Sequence, residues 1–500
     1  MRRRPPARRL VVVALAGLAL MNLARAALPS GPPPRDVPTP DVPLPSAPVP
    51  GVAPFRGPLP RPDVLVAGAA HRPDVLQVKL HASAGLRWDG TRLRDRSGRV
   101  WSTPGGHVLR PLVPDAGAGE VGLWYRIESD RASELAARLL RDPVVETVNY
   151  ALRPAPPPSA RSLAVHPPSA NASTPDFREA QGWLDPEGGV GATEASRWPG
   201  ARGEGISVAD IEYGWTEDHE DLAATVGAHA WGSQEGRYLF HGTSVLGQLF
   251  GTENGWGVVG GIPEATARVA SPFDETEDYN LAAAIVGIGA QLLPGDVLLI
   301  EQQAYCPDGG GYCPVEVDDA VFDAIAAVVA AGIVVVEPAA NGGRNLDDRV
   351  FEGRFDRSLR DSGAILVGGG ASPESGMDPR IWYPYGSSYG ARVDVQGWFD
   401  HIVTTTNGDY GGMYADLYFP DEDPLRAYTA TFAGTSGASP MVAVVAAAAQ
   451  AALLAERGEP MDPVDLRALL VSTGTPEPVT DGHHIGPLPD LRRLLRTLLR

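Results

Sequence analysis

Four stretches of this chain carry residue types that could together cleave an acyl bond. Ala433 to Glu456 (AGTSGASPMVAVVAAAAQAALLAE) is a small-residue turn running into a long apolar segment, with Pro440 expected in the first turn of a helix. Ser436 is thereby placed in a tight turn at a helix N-terminus, where the local field favours developing negative charge. A serine in that place also simply caps a helix. His241 to Gly247 (HGTSVLG) puts a histidine at the start of a second helix, although a lone histidine is more often structural. Val334 to Gly343 (VVVEPAANGG) is a buried strand ending near Asn341, whose amide could donate to an oxyanion. Gly203 to Leu222 (GEGISVADIEYGWTEDHEDL) is a hydrophobic strand that delivers acidic side chains at its C-terminal end. Each stretch has an ordinary structural reading. Acid, base, amide and serine in one chain are harder to explain that way.

The elements that must position these groups follow from periodicity. ISVADIE, DVLLIEQ, GIVVVEP, AILVGGG and RVDVQG are short apolar runs separated by helical stretches at Ser244 to Phe250, Val317 to Ala331 and Pro440 to Glu456. Such alternation predicts an α/β fold with a doubly wound, mostly parallel sheet covered on both faces. Sites in such sheets form at the carboxyl ends of the strands. Upstream, VLQVKLH (Val75 to His81), SELAARLLRD with Ser133 as cap, and VVETVNYAL (Val144 to Leu152) predict a small α+β unit. The tail LPDLRRLLRTLLR is an amphipathic helix expected to close the large domain.

Composition bounds the rest. The 500 residues are 43% hydrophobic and 21% charged, with a formal net charge of -19. That balance disfavours nucleic acid as a partner, since phosphate binding needs basic patches. Lys79 is the only lysine. Arg2, Arg3, Arg4, Arg8 and Arg9 precede the apolar run Leu10 to Leu20, and Ala24-Arg25-Ala26 follows. This pattern predicts a signal peptide over 1–26 rather than an uncleaved anchor, and therefore a secreted, extracellular or periplasmic protein with no membrane attachment after cleavage. No other segment is expected to span a membrane. Residues 27–72 read as a proline-rich linker, 73–153 as the small unit, 154–175 as an exposed connector open to cleavage, and 176–500 as the large domain. Cys306 and Cys313 flank PDGGGY; in an exported chain this pair is expected to form a local disulfide, the alternative being two free thiols.

Taken in order, these blocks resemble the subtilisin-like (S8) serine peptidases. HGTSVLG is similar to the family's HGTHVAG, with Ser244 where histidine is usual. GTSGASPMVA is similar to GTSMAxPHVA, with Met441 replacing a histidine, AANGG to AAGNxG, and SYGARVDVQG to FSxxGxxVDVxAPG. The resemblance covers roughly Asp176 to Leu494, and the upstream unit, ending in DPVVETVNYAL, resembles the family's inhibitory pro-domain. It implies a subtilisin-like fold and a serine endopeptidase: Ser436 as nucleophile, His241 as base, Asn341 and the Ser436 N–H as oxyanion donors. The partners implied are a protein or peptide substrate and the chain's own pro-domain, on a monomer. Where the family has VAVIDTGV, this chain has VADIEYGW, which puts Glu212 at the place of the acid that orients the histidine; HEDL (His219 to Leu222), where the family has HPDL, supports the register. Asp210, on the same face about 7 Å back, is the alternative.

Glu301, Gln302 and Gln303 stand where the family's substrate-pairing strand carries small residues, and Glu337 stands near the primary pocket. The two glutamates are candidates to select basic side chains, to share a proton with each other, or to pair with a nearby arginine. The chemistry requires no cofactor. A structural calcium is a further candidate, with Asp221 and Asn254 on two ligand positions and carbonyls of Thr252, Trp256 and Val258 completing the shell. Two other readings compete. A sedolisin-type acid peptidase also uses glutamate, but it has an aspartate as oxyanion group and lacks the HGT histidine. A catalytically inactive binding module on the same scaffold would account for the unusual acid and the EQQ segment.

Overall fold

A computed structural model describes residues 53–59, 61–62, 64–114, 116–117, 119–157, 173–226, 229–236, 238–384, 386–408, 415–478 and 482–499. The expected signal peptide, most of the proline-rich linker and most of the 154–175 connector lie outside these residues.

The large domain is organised on a seven-stranded sheet. Its order is His229–Trp231, Thr266–Ala270, Ser207–Ile211, Val297–Ile300, Val334–Pro338, Ile365–Gly370 and Val395–Trp398, and every pairing is parallel. The strands are mostly apolar because both faces are covered. Val208, Val297, Leu299, Val334 and Val336 join a core under the helices Leu239–Phe250 and Thr435–Arg457. Ala209, Ile211, Leu298, Ile300 and Val335 join a second core under Leu281–Gly289 and Asp319–Ala330. Alternate residues face opposite sides, as the two-residue strand period demands.

The helix boundaries differ from expectation in an informative way. Thr435–Arg457 begins five residues before Pro440. Ser436 therefore lies inside the first turn rather than in the turn before it, and Pro440 lies in the helix interior. This helix is long and apolar enough to cross a membrane, yet 89% of its apolar window is buried in the core; the sheet, not lipid, accounts for its composition. The tail helix Leu491–Leu498 buries Leu491, Leu494, Leu495 and Leu498 in the same core, which explains its amphipathic spacing.

The small unit is a four-stranded antiparallel sheet, ordered Leu109–Pro111, Trp124–Glu128, His71–Leu80 and Val145–Leu152. The helix Ala132–Leu139 packs on it through Leu135, Ala136 and Leu139. Ser133 does not cap that helix: it lies within the first turn, the N-cap is Arg131, and the Ser129 hydroxyl accepts from the Arg131 N–H at 3.1 Å.

Two features join this unit to the large domain. Lys79 is fully buried and donates to Asp323 at 2.5 Å and to Glu120 at 2.6 Å. Asp323 also accepts from Trp124 Nε1 at 2.8 Å and from Arg56 Nε at 2.8 Å. Residues expected to be linker thus take part: Phe55–Arg56 pairs antiparallel with Arg360–Asp361. Arg56 is drawn out of a solvated state because Asp323, Glu146 and Glu120 surround it.

Removing one partner of a buried ion pair costs about 3–5 kcal/mol, whereas an exposed pair contributes under about 1 kcal/mol. Asp323→Ala is therefore expected to lower the urea-unfolding free energy of the full chain by about 3 kcal/mol or more. Glu120→Ala, at the exposed side of the same lysine, should cost under about 1 kcal/mol. Equal effects of the two would show that Asp323 is not the anchor.

Candidate active site

The strand Ser207–Ile211 ends one residue before Glu212, whose N–H continues the ladder to Ala270 O at 2.9 Å. Glu212 Oε1 lies 2.6 Å from His241 Nδ1, and both side chains are buried. His241 sits in the first turn of Leu239–Phe250, which approaches this strand closely because Gly242 has no side chain: a Cβ there would fall 2.4 Å from Gly214 O and 3.1 Å from Glu212 Cγ. The helix is tied down from the other side, where Thr404 and Thr405 donate to the carbonyls of Ser244 and Thr243 at 2.7 and 2.6 Å. Ser244 folds its hydroxyl back onto Phe240 O at 2.8 Å. The His241 ring packs edge-on against Phe432, centroids 5.6 Å apart.

Asn341 follows the strand Val334–Pro338 across Ala340, a non-glycine residue held at φ 70°. Such left-handed backbone costs energy and concentrates at functional sites. It swings Asn341 toward the serine helix, where its Oδ1 accepts from Thr435 N–H at 2.8 Å and Thr435 Oγ1 at 3.1 Å. The acceptor being used, Nδ2 is left as the free donor. Gly434, at φ 102°, makes the sharp entry into the helix. Ser436 follows two residues on, 8% exposed.

Ser436 Oγ and His241 Nε2 share no hydrogen bond in this state. Nucleophile–base contacts often tighten only with substrate present. The Ser436 hydroxyl lies near Glu301 without a hydrogen bond between them, and it favours the ionised form of that carboxyl. Ile211 and Ile300 are register partners in adjacent parallel strands, so the residues that follow them, Glu212 and Glu301, stand side by side. Donor atoms of Glu212, His241 and Glu301 all lie within 4.8 Å of one another. Neither oxygen of Glu301 or Asp210 has a hydrogen-bond partner among the described residues. Burial drives all of these groups toward neutrality: it pulls His241 down to about 3 and lifts Glu212 well above the carboxylate range, with the Tyr213 N–H opposing. Burial and then the Glu212 charge lift Asp210.

The four residues expected to bind substrate separate into different roles. Gln303 alone meets the small unit: its Nε2 donates to Pro156 O at 3.2 Å and its Oε1 accepts from Asn341 N–H at 3.2 Å. Pro154–Ala155 runs antiparallel along Gln303–Tyr305, with Ala155 opposite Gln303 and Pro154 opposite Ala304. Gln302 is turned inward, donating to Ile211 O at 3.2 Å. Glu301 and Glu337 are not a pair. Glu337 is fully buried and neighbours Glu316 and Arg392, the guanidinium being 3.9 Å away; of the alternatives weighed, the arginine partner is the one present. The Cys306–Cys313 disulfide, Cα atoms 5.1 Å apart, closes a hairpin against the loop that carries Asn341: a Cβ on Gly342 would fall 1.9 Å from Tyr312 O.

Asp221 and Asn254 do come together, but on each other. Asn254 Nδ2 donates to Asp221 Oδ1 at 2.7 Å, Val258 N–H to Oδ2 at 2.8 Å, and Trp256 N–H to Asn254 Oδ1 at 3.1 Å. Each oxygen these two side chains would offer accepts a protein hydrogen bond, so in this arrangement the loop is held together without a cation.

Residues 203–486 match the Subtilase family of S8 peptidases. This chain belongs to that family. It is 28% identical over 258 residues to an intracellular serine protease of Paenibacillus polymyxa, spanning 49% of this chain and 67% of that protein. Its fold is similar to fervidolysin from Fervidobacterium pennivorans, a keratinolytic enzyme related to subtilisin, at 16% identity and TM-score 0.52, covering 87% of this chain and 62% of fervidolysin. A protease of Pseudoalteromonas arctica aligns over 65% of this chain and 100% of its own, with 19% identity and TM-score 0.46. The subtilase is a serine-type peptidase with the doubly wound sheet expected of it.

Because the Asp221 loop is satisfied without a cation, EDTA is expected to leave the melting temperature of this subtilase unchanged, read by circular dichroism with and without added calcium. A calcium-dependent rise of several degrees would show that the loop rearranges around the ion.

Proposed function

We propose that this subtilase is a secreted endopeptidase made as a zymogen, with Glu212, His241, Asn341 and Ser436 as its catalytic residues. The observation that carries the reading is the 2.6 Å contact between Glu212 and His241, at the same sheet edge as Ser436 and Asn341. In the proposed cycle His241 Nε2 takes the Ser436 proton as Oγ attacks the peptide carbonyl. Glu212 accepts from Nδ1–H, fixing the tautomer and stabilising the imidazolium. Asn341 Nδ2 and the Ser436 N–H hold the oxyanion. His241 then protonates the leaving amine, and water repeats the cycle on the acyl group.

Residues 73–153 serve in this reading as the inhibitory pro-domain. Its support is Pro154–Ala155 lying along Gln303–Tyr305, since a substrate backbone would add to the sheet by the same hydrogen bonds. The connector would carry the maturation site, between Pro154 and Ser173. Export is supported by the basic and apolar N-terminal pattern and by the bonded Cys306–Cys313 pair.

Labelling with a fluorophosphonate tests the reading. The wild type is expected to be labelled and Ser436→Ala not; an unlabelled wild type at every pH would favour the inactive binding module. Asn341→Ala should lower kcat by about 10²–10³ with little change in KM, the loss of one oxyanion donor. Glu212→Gln should lower kcat by up to about 10⁴ while leaving the circular dichroism spectrum intact; Asp210→Asn doing this instead would assign the acid to Asp210. N-terminal sequencing of the secreted protein should begin after Pro154 and no later than Thr174.

A further inference from the structure

A buried carboxylate beside Glu212 and His241, Glu301, has no part in the cycle above. Glu301 follows the strand Val297–Ile300 and lies on the face of Val297 and Leu299, toward the histidine and serine helices. It is 3% exposed. No cation forms an ion pair with it among the described residues, and neither oxygen has a hydrogen-bond partner. Some buried carboxylates of this core are matched: Glu316 has Arg392 and Ser362, and Asp319 has Arg360 and Arg354. Asp210, Glu337 and Glu301 have no hydrogen-bond partner among the described residues, and of these Glu301 is the one whose carboxylate lies within 4.8 Å of both Glu212 and His241.

We propose that Glu301 is a further functional member of the reacting cluster, a neutral carboxylic acid against the Ser436 hydroxyl that must keep its proton for the serine to attack. This rests on the peptidase reading. As an acid it presents no charge to the oxyanion that forms on the substrate carbonyl, and none to Glu212, which must bear the negative charge opposite the imidazolium. As a carboxylate it would set a like charge next to both, in a site too buried for water to screen it. Its own proton stays in place throughout: the Ser436 proton alone travels, to His241 Nε2 and then to the leaving amine.

Of the groups facing Glu301, the two carboxylates raise its proton affinity and the Ser436 hydroxyl opposes them. Asp210 and Glu212 come from the neighbouring strand, His241 from one helix and Ser436 from another. Tyr213 follows Glu212, and Glu337, from the strand on the other side, has Glu316 and Arg392 as its own partners. Burial, then Glu212 and Asp210, hold the Glu301 proton on well above the usual carboxylate range, against a smaller pull from the Ser436 hydroxyl. The sign is therefore activity on the acid side of the Glu301 titration and loss of activity as pH rises through it. A histidine–serine pair without such a neighbour would instead reach a plateau at alkaline pH.

The test is the second-order rate of Ser436 phosphonylation by a fluorophosphonate, using protein produced from the full chain, across the pH range in which circular dichroism shows it folded. The wild type should give a bell-shaped profile, falling at least about tenfold on the alkaline side. Glu301→Gln, neutral at every pH, should retain the rate at the wild-type optimum within about fivefold and lose the alkaline fall; Glu301→Leu is a second neutral replacement, expected to lose the same limb. A merely structural Glu301 would lower the rate equally at all pH and leave the limb in place. The proposal is overturned by an alkaline plateau in the wild type, by a limb that persists in Glu301→Gln, or by a limb that only Asp210→Asn removes. The first of these needs no variant to fold. Labelling with an alkaline plateau refutes the role of Glu301 alone, whereas no labelling at any pH refutes the peptidase reading with it.

Discussion

The 2.6 Å contact between Glu212 and His241 is the constraint around which the large domain is arranged. A sheet buried on both faces offers polar groups one outlet, the carboxyl ends of its strands. Glu212 stands at that outlet on a central strand, and the helix bearing His241 must be brought within hydrogen-bonding distance of it. A glutamate reaches one methylene further than an aspartate, so the space is made on the helix side. Gly242 supplies it, being the position at which any Cβ would meet Gly214 O and the Glu212 stem. Thr404 and Thr405 then press the helix home through the carbonyls of Thr243 and Ser244. The same logic runs along the sheet edge to Asn341, whose position is held by the left-handed Ala340 and by hydrogen bonds to Thr435.

The small unit meets this domain through a different kind of interaction. Lys79, the sole lysine, is buried where a lysine is expensive. Asp323 offsets that cost by gathering Lys79, Trp124 and Arg56 on two oxygens. Such a junction is specific before it is strong: an apolar contact tolerates sliding, while a buried ion pair does not. Register matters here because two residues past the sheet, Pro154 and Ala155, must meet Gln303 and Ala304. The fixed point at Asp323 and the added strand at Gln303 lie at opposite ends of one rigid antiparallel sheet, so the first aligns the second.

Much of this was legible in the sequence, and the reason is periodicity. Apolar runs mark strands buried on both sides, and five of the seven strands of the sheet are the expected ones; His229–Trp231 and Thr266–Ala270 are not among them. Ser436, His241 and Asn341 were singled out from short motifs rich in small residues, and Glu212 from its place at the end of a hydrophobic strand. What was not legible depended on pairings between distant segments. The role of Phe55–Arg56 was hidden inside a proline-rich stretch, since only the carboxylates of Asp323, Glu146 and Glu120 give Arg56 a reason to be ordered. Glu301 read as a substrate contact because it lies in the segment that precedes the pairing strand. Its true neighbours follow from one fact no local window contains, the register of Ile211 against Ile300. Given that register, the residues after each strand must be adjacent, and Glu301 falls beside Glu212.

Two sets of buried acids then invite comparison, because the same burial leads to opposite outcomes. Around Arg392, burial raises Glu316, but Arg392, Ser362 and Arg360 outweigh it and leave Glu316 below the usual carboxylate range. Glu316 and Asp361 stay ionised, and the arginines hold loops together: Arg392 also donates to Asp394 at 2.8 Å, and Arg467 to Asp361 at 2.6 Å. At the sheet edge no arginine enters among the described residues. There Asp210, Glu212 and Glu301 have His241 as a basic neighbour, itself held neutral by burial. A group that is permanently ionised has no proton to exchange at working pH, and one in open solvent cannot have its proton affinity tuned far. The core separates the two sets by where it places its guanidinium groups: Glu316 and Asp319 have arginines and serve as ties, whereas Asp210, Glu212 and Glu301 have none among the described residues.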